Sequence, residues 1–430
     1  MKNALIFTQS FPPTNVVSAR RFGYLSLHMA RLGWQPWIVT MNGSGPLSLP
    51  IDETTIFRFG QHPHQTDEGS TRGPSRTSEY LATAGKLCAR KLGLRYSAVT
   101  PANWQWYNSV LARRRGIRLS MPKIDLVLGS YAPEHALWLA RRFSEEIGAP
   151  WVADFRDLAA LYAPDQRGVI RWLDRKLERS LMRSAAHITT VSPTLAEALQ
   201  TTYQRPATVI FNGWDTADQD APGCESVCDL PTDPYLFYAG RLYRHRMASV
   251  VLLLEALRQS PGVHFRFRSL GPTDLENEIR EHAVRLGISQ NVHILPPAEP
   301  AQIKIESRAA LANVVVEDLG QVDRYSAGNL TGKFLKLLAL EPPVICIARP
   351  DSDTGPILEQ TGKGRLSHLA GDVIDFIRAA SQPRHPFVGS KTAIERFRSV
   401  EQAQNLCDLF DRIVDSSPSR CDITATAKAA

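Results

Sequence analysis

Cysteine is scarce: there are six in 430 residues, at positions 88, 224, 228, 346, 407 and 421. Their scatter excludes a disulfide framework, and a reducing cytoplasm is the expected home. Cys224 and Cys228 have no second ligand pair nearby, which argues against a zinc site. Long apolar runs are also lacking, and none approaches the roughly 18 residues of a membrane-spanning helix. The opening run Ala4–Thr8 is too short for the core of a secretory signal and reads as a first strand. Charge of one sign is only mildly in excess, with 50 Lys and Arg against 43 Asp and Glu, a net +7. With 43% hydrophobic and 22% charged residues, the chain is neither disordered nor fibrous. Its length predicts two or three domains.

One regional absence stands out. Between Leu81 and Pro122 there is no acidic residue, while Lys86, Arg90, Lys91, Arg95, Arg113, Arg114, Arg115 and Arg118 all fall there. Such a patch points to an anionic partner, either the head groups of a membrane surface, a polyprenyl phosphate or a nucleic acid. The bland alternative is a solvated helix face balanced by acids elsewhere in the fold. The stretch Tyr80–Leu94 interleaves apolar and basic residues in helical fashion, which suits the cytoplasmic face of a membrane. Trp104 and Trp106 offer stacking surfaces for bases, but no nucleic-acid module accompanies them, so no nucleic acid is expected as partner.

Short buried strands alternate with helical patterns along the chain. Strands are expected at Ala4–Thr8, Pro36–Thr40, Ile124–Gly129, Trp151–Asp154, His187–Val191 and Ala207–Phe211. Ser192-Pro193 reads as N-cap and first residue of a helix over Thr194–Thr201. The alternation stops at the acidic, Pro- and Gly-containing stretch Asp215–Asp233, then resumes with strands at Tyr235–Ala239, Val263–Ser269, Val292–Leu295, Ala312–Val316 and Val344–Ile347. Helices are expected at Trp172–Ala185, Thr331–Leu340 and Lys391–Ile413, and Gln61–Ser78 reads as a surface loop. This alternation implies an α/β chain with parallel sheets covered on both faces. The expected organisation is a first domain over 1–215, a linker over 216–234, a second domain over 235–390, a terminal helix over 391–415 packing back on the first domain, and a disordered tail over 416–430.

Several familiar motifs fail. Gly43-Ser44-Gly45 follows a strand, but Ser48 replaces the third glycine of a dinucleotide fingerprint. Gly328–Phe334 approaches a P-loop but is one residue short and ends in Phe334. Asp351-Ser352-Asp353 and Asp218-Gln219-Asp220 both match a metal-holding Asp-x-Asp pattern, and two hits show how little that pattern specifies.

Four segments at expected strand ends carry usable chemistry. Phe11–Arg21 leaves the first strand and enters a helix, offering backbone N–H groups with Arg20 or Arg21. Asp154-Phe155-Arg156-Asp157 sets three charges just past a strand. In Tyr238–Arg246 a strand ends at Gly240 and releases Arg241, Arg244 and Arg246, whose forks suit diphosphate oxygens. Gly328-Asn329-Leu330-Thr331-Gly332-Lys333-Phe334 opens a helix, where free N–H groups and Lys333 favour an anion.

The ordered set of segments resembles the GT-B glycosyltransferases of family 4, the retaining nucleotide-sugar transferases. The resemblance rests on Phe11-Pro12-Pro13 with Ser18-Ala19-Arg20, Ile124–Leu128, Val152–Leu158, Thr190-Val191-Ser192, Phe211–Asp215, Tyr238–Leu242, and Gly332-Lys333-Phe334 with Pro343-Val344-Ile345. It spans about residues 1–415 and is nearest to the branch making bacterial surface polysaccharides. It implies a GT-B fold, two Rossmann-like parallel-sheet domains facing each other across a cleft. A nucleoside diphosphate sugar would sit mainly in the second domain and a glycan, lipid-linked or small-molecule acceptor in the first. The sugar would move with retention, without metal or other cofactor. Arg241, Arg246 and Lys333 would stabilise the departing diphosphate, with Arg156 and Asp157 near the reacting sugar. Gly240, Asn329, Leu330, Thr331, Gly332 and Lys336 would line the donor site, and Asn15, Ser18 and Arg20 the N-terminal loop. Val16-Val17 replaces the family's paired glycines, and Arg156 a histidine. Gly328 and Lys336 replace two glutamates, of which the second normally accepts from the ribose. That replacement motivates an alternative: a non-catalytic homologue that activates a partner transferase.

Overall fold

The computed structural model describes residues 1–62, 100–158, 168–216, 230–269, 274–320 and 326–416. It contains two compact units: residues 1–212 joined by the chain's end from Ser399, and residues 213–398.

In the first unit seven parallel strands take the order β3-β2-β1-β4-β5-β6-β7. They are β1 (Lys2–Phe7), β2 (Trp34–Asn42), β3 (Ile56–Gln61), β4 (Leu126–Tyr131), β5 (Trp151–Phe155), β6 (His187–Thr190) and β7 (Ala207–Val209). The reversal between β1 and β4, with Ala4 opposite Leu126, is the switch point of a doubly wound sheet. Both faces of such a sheet are covered, so β4 and β5 are buried along their whole length. Helix Ser399–Ser416 completes this unit's core with Leu406, Leu409, Phe410 and Ile413. Each such buried side chain contributes about 1.5–3 kcal/mol. Phe410 meets the Trp34 ring edge-on at 5.2 Å, and Asp411 accepts from Trp34 Nε1 and from Lys2.

The second unit has six parallel strands in the order β10-β9-β8-β11-β12-β13. These are β8 (Tyr235–Gly240), β9 (His264–Ser269), β10 (Val292–Leu295), β11 (Ala312–Val316), β12 (Val344–Ile347) and β13 (Gly364–Ser367). Here the switch point lies between β8 and β11, registered Ala312 to Leu236. The α/β class and the two doubly wound parallel sheets are as the sequence predicts.

Several boundaries differ from expectation. The terminal helix breaks into Lys391–Glu395 and Ser399–Ser416, and the Trp214 N–H bonds to Phe397 O across that break at 3.1 Å. Thr331–Leu340 contributes only Phe334–Leu338 as helix, because Thr331–Lys333 forms a turn and Pro342-Pro343 follows. Ser192 and Pro193 open their helix, yet the Ser192 hydroxyl makes no capping bond. β3 has no counterpart among the expected strands, and its last residue, Gln61, opens the expected loop. The expected loop beyond His62, the helical stretch Tyr80–Leu94, most of the 216–234 linker and the terminal tail lie outside the described residues. Among the described residues no helix is long and apolar enough to cross a membrane.

Candidate functional site

In the second unit, chemistry gathers at the carboxyl ends of β8, β11 and β12. β8 ends at Gly240 with φ +149°, a conformation side chains rarely adopt. A Cβ there would sit 1.3 Å from Lys333 Nζ, so glycine leaves the space that the lysine fills. Lys333 Nζ donates to Ala239 O at 2.6 Å and lies 4.8 Å from the Tyr238 ring centroid. Much of the lysine is open to solvent, but its ammonium is packed against the strand end. Burial of that end, then the charge of Arg246, push its pKa down to about 8.

Arg246 is half-buried at the close of a short turn, 5.4 Å from the Tyr243 ring. Its Nε is buried without a hydrogen-bond partner. Arg241 is exposed, and its carbonyl accepts from the Tyr238 hydroxyl at 3.1 Å. Arg244 instead pairs with Glu278 on a neighbouring helix, so it is spent structurally. Of the loop 328–332, Asn329 is exposed, Leu330 buried, and Thr331 and Gly332 half-buried; Lys336 is half-buried one turn beyond Lys333. The helix at Phe334–Leu338 is a single short turn and a half. The anion-attracting feature here is therefore Lys333 with Arg246 rather than a helix end.

Sequence reasoning missed Glu317, which follows β11. It is 5% exposed, and its two oxygens accept from Ser352 Oγ at 2.6 Å and Thr354 Oγ1 at 2.8 Å. Burial pushes its carboxyl pKa up, partly offset by those hydroxyls and by Arg246. A carboxylate straight after the valine run Val314–Val316, beside the switch point, was the available signal. In Asp351-Ser352-Asp353, Asp351 binds Arg349 at 2.6 Å and Ser352 serves Glu317, so the pattern has structural duties. Among the described residues no group of His, Cys, Asp and Glu is placed to hold a metal.

In the first unit the charges are arranged differently. Arg21 Nη2 pairs with Asp154 Oδ1 at 2.8 Å, both side chains 1% exposed. Arg21 also donates to Ile210 O and Phe211 O, while Ser130 and Thr189 donate to Asp154. Arg156 Nε donates to Tyr131 O at 3.0 Å, and burial lowers its pKa against the opposing pull of Asp157 and Asp154. Asp157 is exposed. In the N-terminal loop Arg20 Nε donates to Asn15 Oδ1 at 2.7 Å, and Ser18 is buried. Gly43 and Gly45 allow a second loop to lie directly on this one: a Cβ at Gly45 would fall 2.6 Å from Pro13 O.

The basic patch is partly balanced. Arg114 and Arg118 both reach Glu146, at 3.3 and 3.5 Å, and Arg113 lies over the Phe59 ring. Arg115 is exposed, and Lys86, Arg90, Lys91 and Arg95 lie outside the described residues. Trp106 is fully buried and cannot stack on bases. Trp104 packs instead against His135 and Trp138.

Comparisons with known proteins agree with this architecture. No curated protein sequence matches. Residues 18–213 match the glycosyl transferase 4-like domain. Among solved structures, sucrose-phosphate synthase from Thermosynechococcus elongatus has a TM-score of 0.61 at 15% identity, over 97% of this chain and 100% of that one. HepE from Anabaena, solved with UDP and glucose, has a TM-score of 0.58 at 14% identity, over 96% and 100%. The lipopolysaccharide outer core galactosyltransferase WaaB, in its apo form, has a TM-score of 0.54 at 13% identity, over 96% and 100%. Residues 18–213 thus match the glycosyl transferase 4-like domain, in a chain with the fold of the GT-B glycosyltransferases that its sequence resembles.

Proposed function

We propose that this chain transfers a sugar from a nucleoside diphosphate sugar to a glycan, lipid-linked or small-molecule acceptor in surface-polysaccharide synthesis. The observation that carries this reading is the pair Lys333 and Arg246 at the end of β8. Both cations are packed into the protein with hydrogen-bonding capacity unspent: Lys333 has one carbonyl partner, and the Arg246 Nε has none. A diphosphate would supply the missing acceptors. As the bond from anomeric carbon to diphosphate oxygen breaks, negative charge grows on that oxygen. Fixed cations already in place stabilise it without reorganising. Arg241, exposed beside them, adds a third cation, so no metal is required in this proposal. The sugar keeps its anomeric configuration, as in the family the sequence resembles. HepE, solved with UDP-glucose, supports a nucleotide sugar as donor. Gly240, Asn329, Leu330, Thr331, Gly332 and Lys336 would complete the donor side, and Asn15, Ser18, Arg20, Arg156 and Asp157 the acceptor side.

A thermal-shift screen across nucleotide sugars identifies the donor, and turnover with the purified chain follows. Lys333→Ala and Arg241→Ala should abolish transfer with melting unchanged; full transfer in both variants would refute the proposal. Lys336, standing where a glutamate would meet the ribose, favours a second reading, in which the chain only activates a partner transferase. Turnover by the purified chain alone eliminates that reading.

A further inference from the structure

Helices covering a sheet normally bury their apolar side. Glu134–Ile147 does so, with Leu137, Leu139 and Phe143 inside. Helix Gly168–Met182 is mounted the other way round. Its inward side holds Glu178, whose carboxylate accepts from the buried Tyr203 hydroxyl at 2.7 Å, with Arg171, Asp174 and Arg175 half-buried beside it. Only Leu181 and Met182 anchor it with apolar side chains. The outward side presents Val169, Ile170, Trp172, Leu173 and Leu177, between 36% and 71% exposed. At 3.6 residues per turn, Val169, Leu173 and Leu177 form one continuous stripe with Ile170 along its edge.

The charges on that outward side have one sign. The exposed charged residues from 168 to 183 are Lys176, Arg179 and Arg183, and neither acid of the helix is exposed. Lys176 Nζ lies 4.8 Å from the Trp172 ring, holding aromatic and cation together beside the apolar stripe. A face of this kind, apolar in the middle with Trp and cations at its border, matches the boundary between acyl chains and anionic head groups. A second copy of the chain matches it poorly. A two-fold contact would set the three cations against themselves. The helix Pro101–Leu119 is less suited, because two of its arginines are already engaged by Glu146.

We propose that helix Gly168–Met182 is the surface by which the protein lies on an anionic lipid bilayer, with Leu173 and Leu177 entering the acyl boundary and Lys176, Arg179 and Arg183 meeting the head groups. This holds whatever sugar is transferred, and its test does not require turnover.

The full chain is sedimented with phosphatidylcholine vesicles, with and without phosphatidylglycerol. Binding is expected only when phosphatidylglycerol is present, and it should weaken as salt rises. Leu173→Asp with Leu177→Asp should lower partitioning by about tenfold or more while melting stays unchanged, since both side chains are exposed. Lys176→Glu with Arg179→Glu should remove the preference for phosphatidylglycerol. Arg114→Glu with Arg118→Glu should leave partitioning as it was. Equal binding to neutral vesicles, or undiminished binding of the double leucine variant, overturns the proposal. So does size-exclusion chromatography showing a dimer that the leucine variant splits, which would assign the face to a second copy.

Discussion

The carboxyl ends of the two sheets hold cations of opposite character. In the first unit Arg21 is neutralised: the Asp154 carboxylate takes one nitrogen and the carbonyls of Ile210 and Phe211 another, with only Nε left without a partner. Asp154 is equally occupied by Ser130 and Thr189. In the second unit Lys333 rests on one carbonyl and one ring, and Arg246 keeps a buried nitrogen without a partner. A buried cation matched by a carboxylate fixes a fold, whereas neighbouring cations with no acid in contact are a place prepared for an anion. The two should respond oppositely to mutation: one losing stability, the other losing affinity.

The largest effect is expected at the closed site. Asp154→Ala leaves Arg21 buried with no counter-charge, which costs about 3–5 kcal/mol. Urea denaturation should show this as a lower midpoint at unchanged slope. Loss below about 1 kcal/mol would mean that water enters the site, and the contrast between the two units would collapse.

A smaller and different effect is expected at the open site. Gly240→Ala places a methyl carbon where Lys333 Nζ lies and strains a residue at φ +149°. The lysine tip is flexible and moves aside, so the stability loss is backbone strain of about 1–3 kcal/mol. Donor affinity should fall further than that of a comparably destabilised core variant, because the ammonium has been displaced. Calorimetric titration with the donor found in the thermal-shift screen separates the two. Equal affinities in the two variants would show that Lys333 does not meet the donor.

Much of this was legible along the chain. Runs such as Ala312–Val316, interrupted only by Asn313, and Val344–Ile347 are largely apolar, because parallel strands are buried on both faces, and they announce themselves. The strand Gly364–Ser367 has one apolar residue in four and carries no such signal. Arg246 and Lys333 were legible because a glycine-ended strand and a lysine opening a helix are local signals. Glu317 was not, since what makes it special is Ser352 and Thr354, 35 and 37 residues onward. Asp154 stands out in the sequence for its charged neighbours, but its partner is Arg21, 133 positions away. Pairings of that range are decided by topology, which no local spacing records. The outward stripe of Gly168–Met182 has a periodicity the sequence displays. Which way it faces depends on the polar contacts beneath it.

The finest contrast between the two sites is in pH. Burial and Arg246 hold the Lys333 ammonium at a pKa of about 8, well below its ordinary value. Below that pH the free protein carries the charge, and above it the charge is progressively lost. A bound diphosphate favours the charged form and raises the pKa. Binding therefore takes up protons once the pH passes about 8, and affinity falls as the pH rises, at most about tenfold per pH unit. Below pH 8 both states hold the proton, so affinity should be flat. Titration calorimetry in two buffers of different ionisation enthalpy measures this uptake directly. Lys333→Met should bind more weakly but with no uptake, because the titrating group is gone while the Arg246 charge remains. Uptake that persists in this variant would transfer the role to another group and leave Lys333 as closed a site as Arg21.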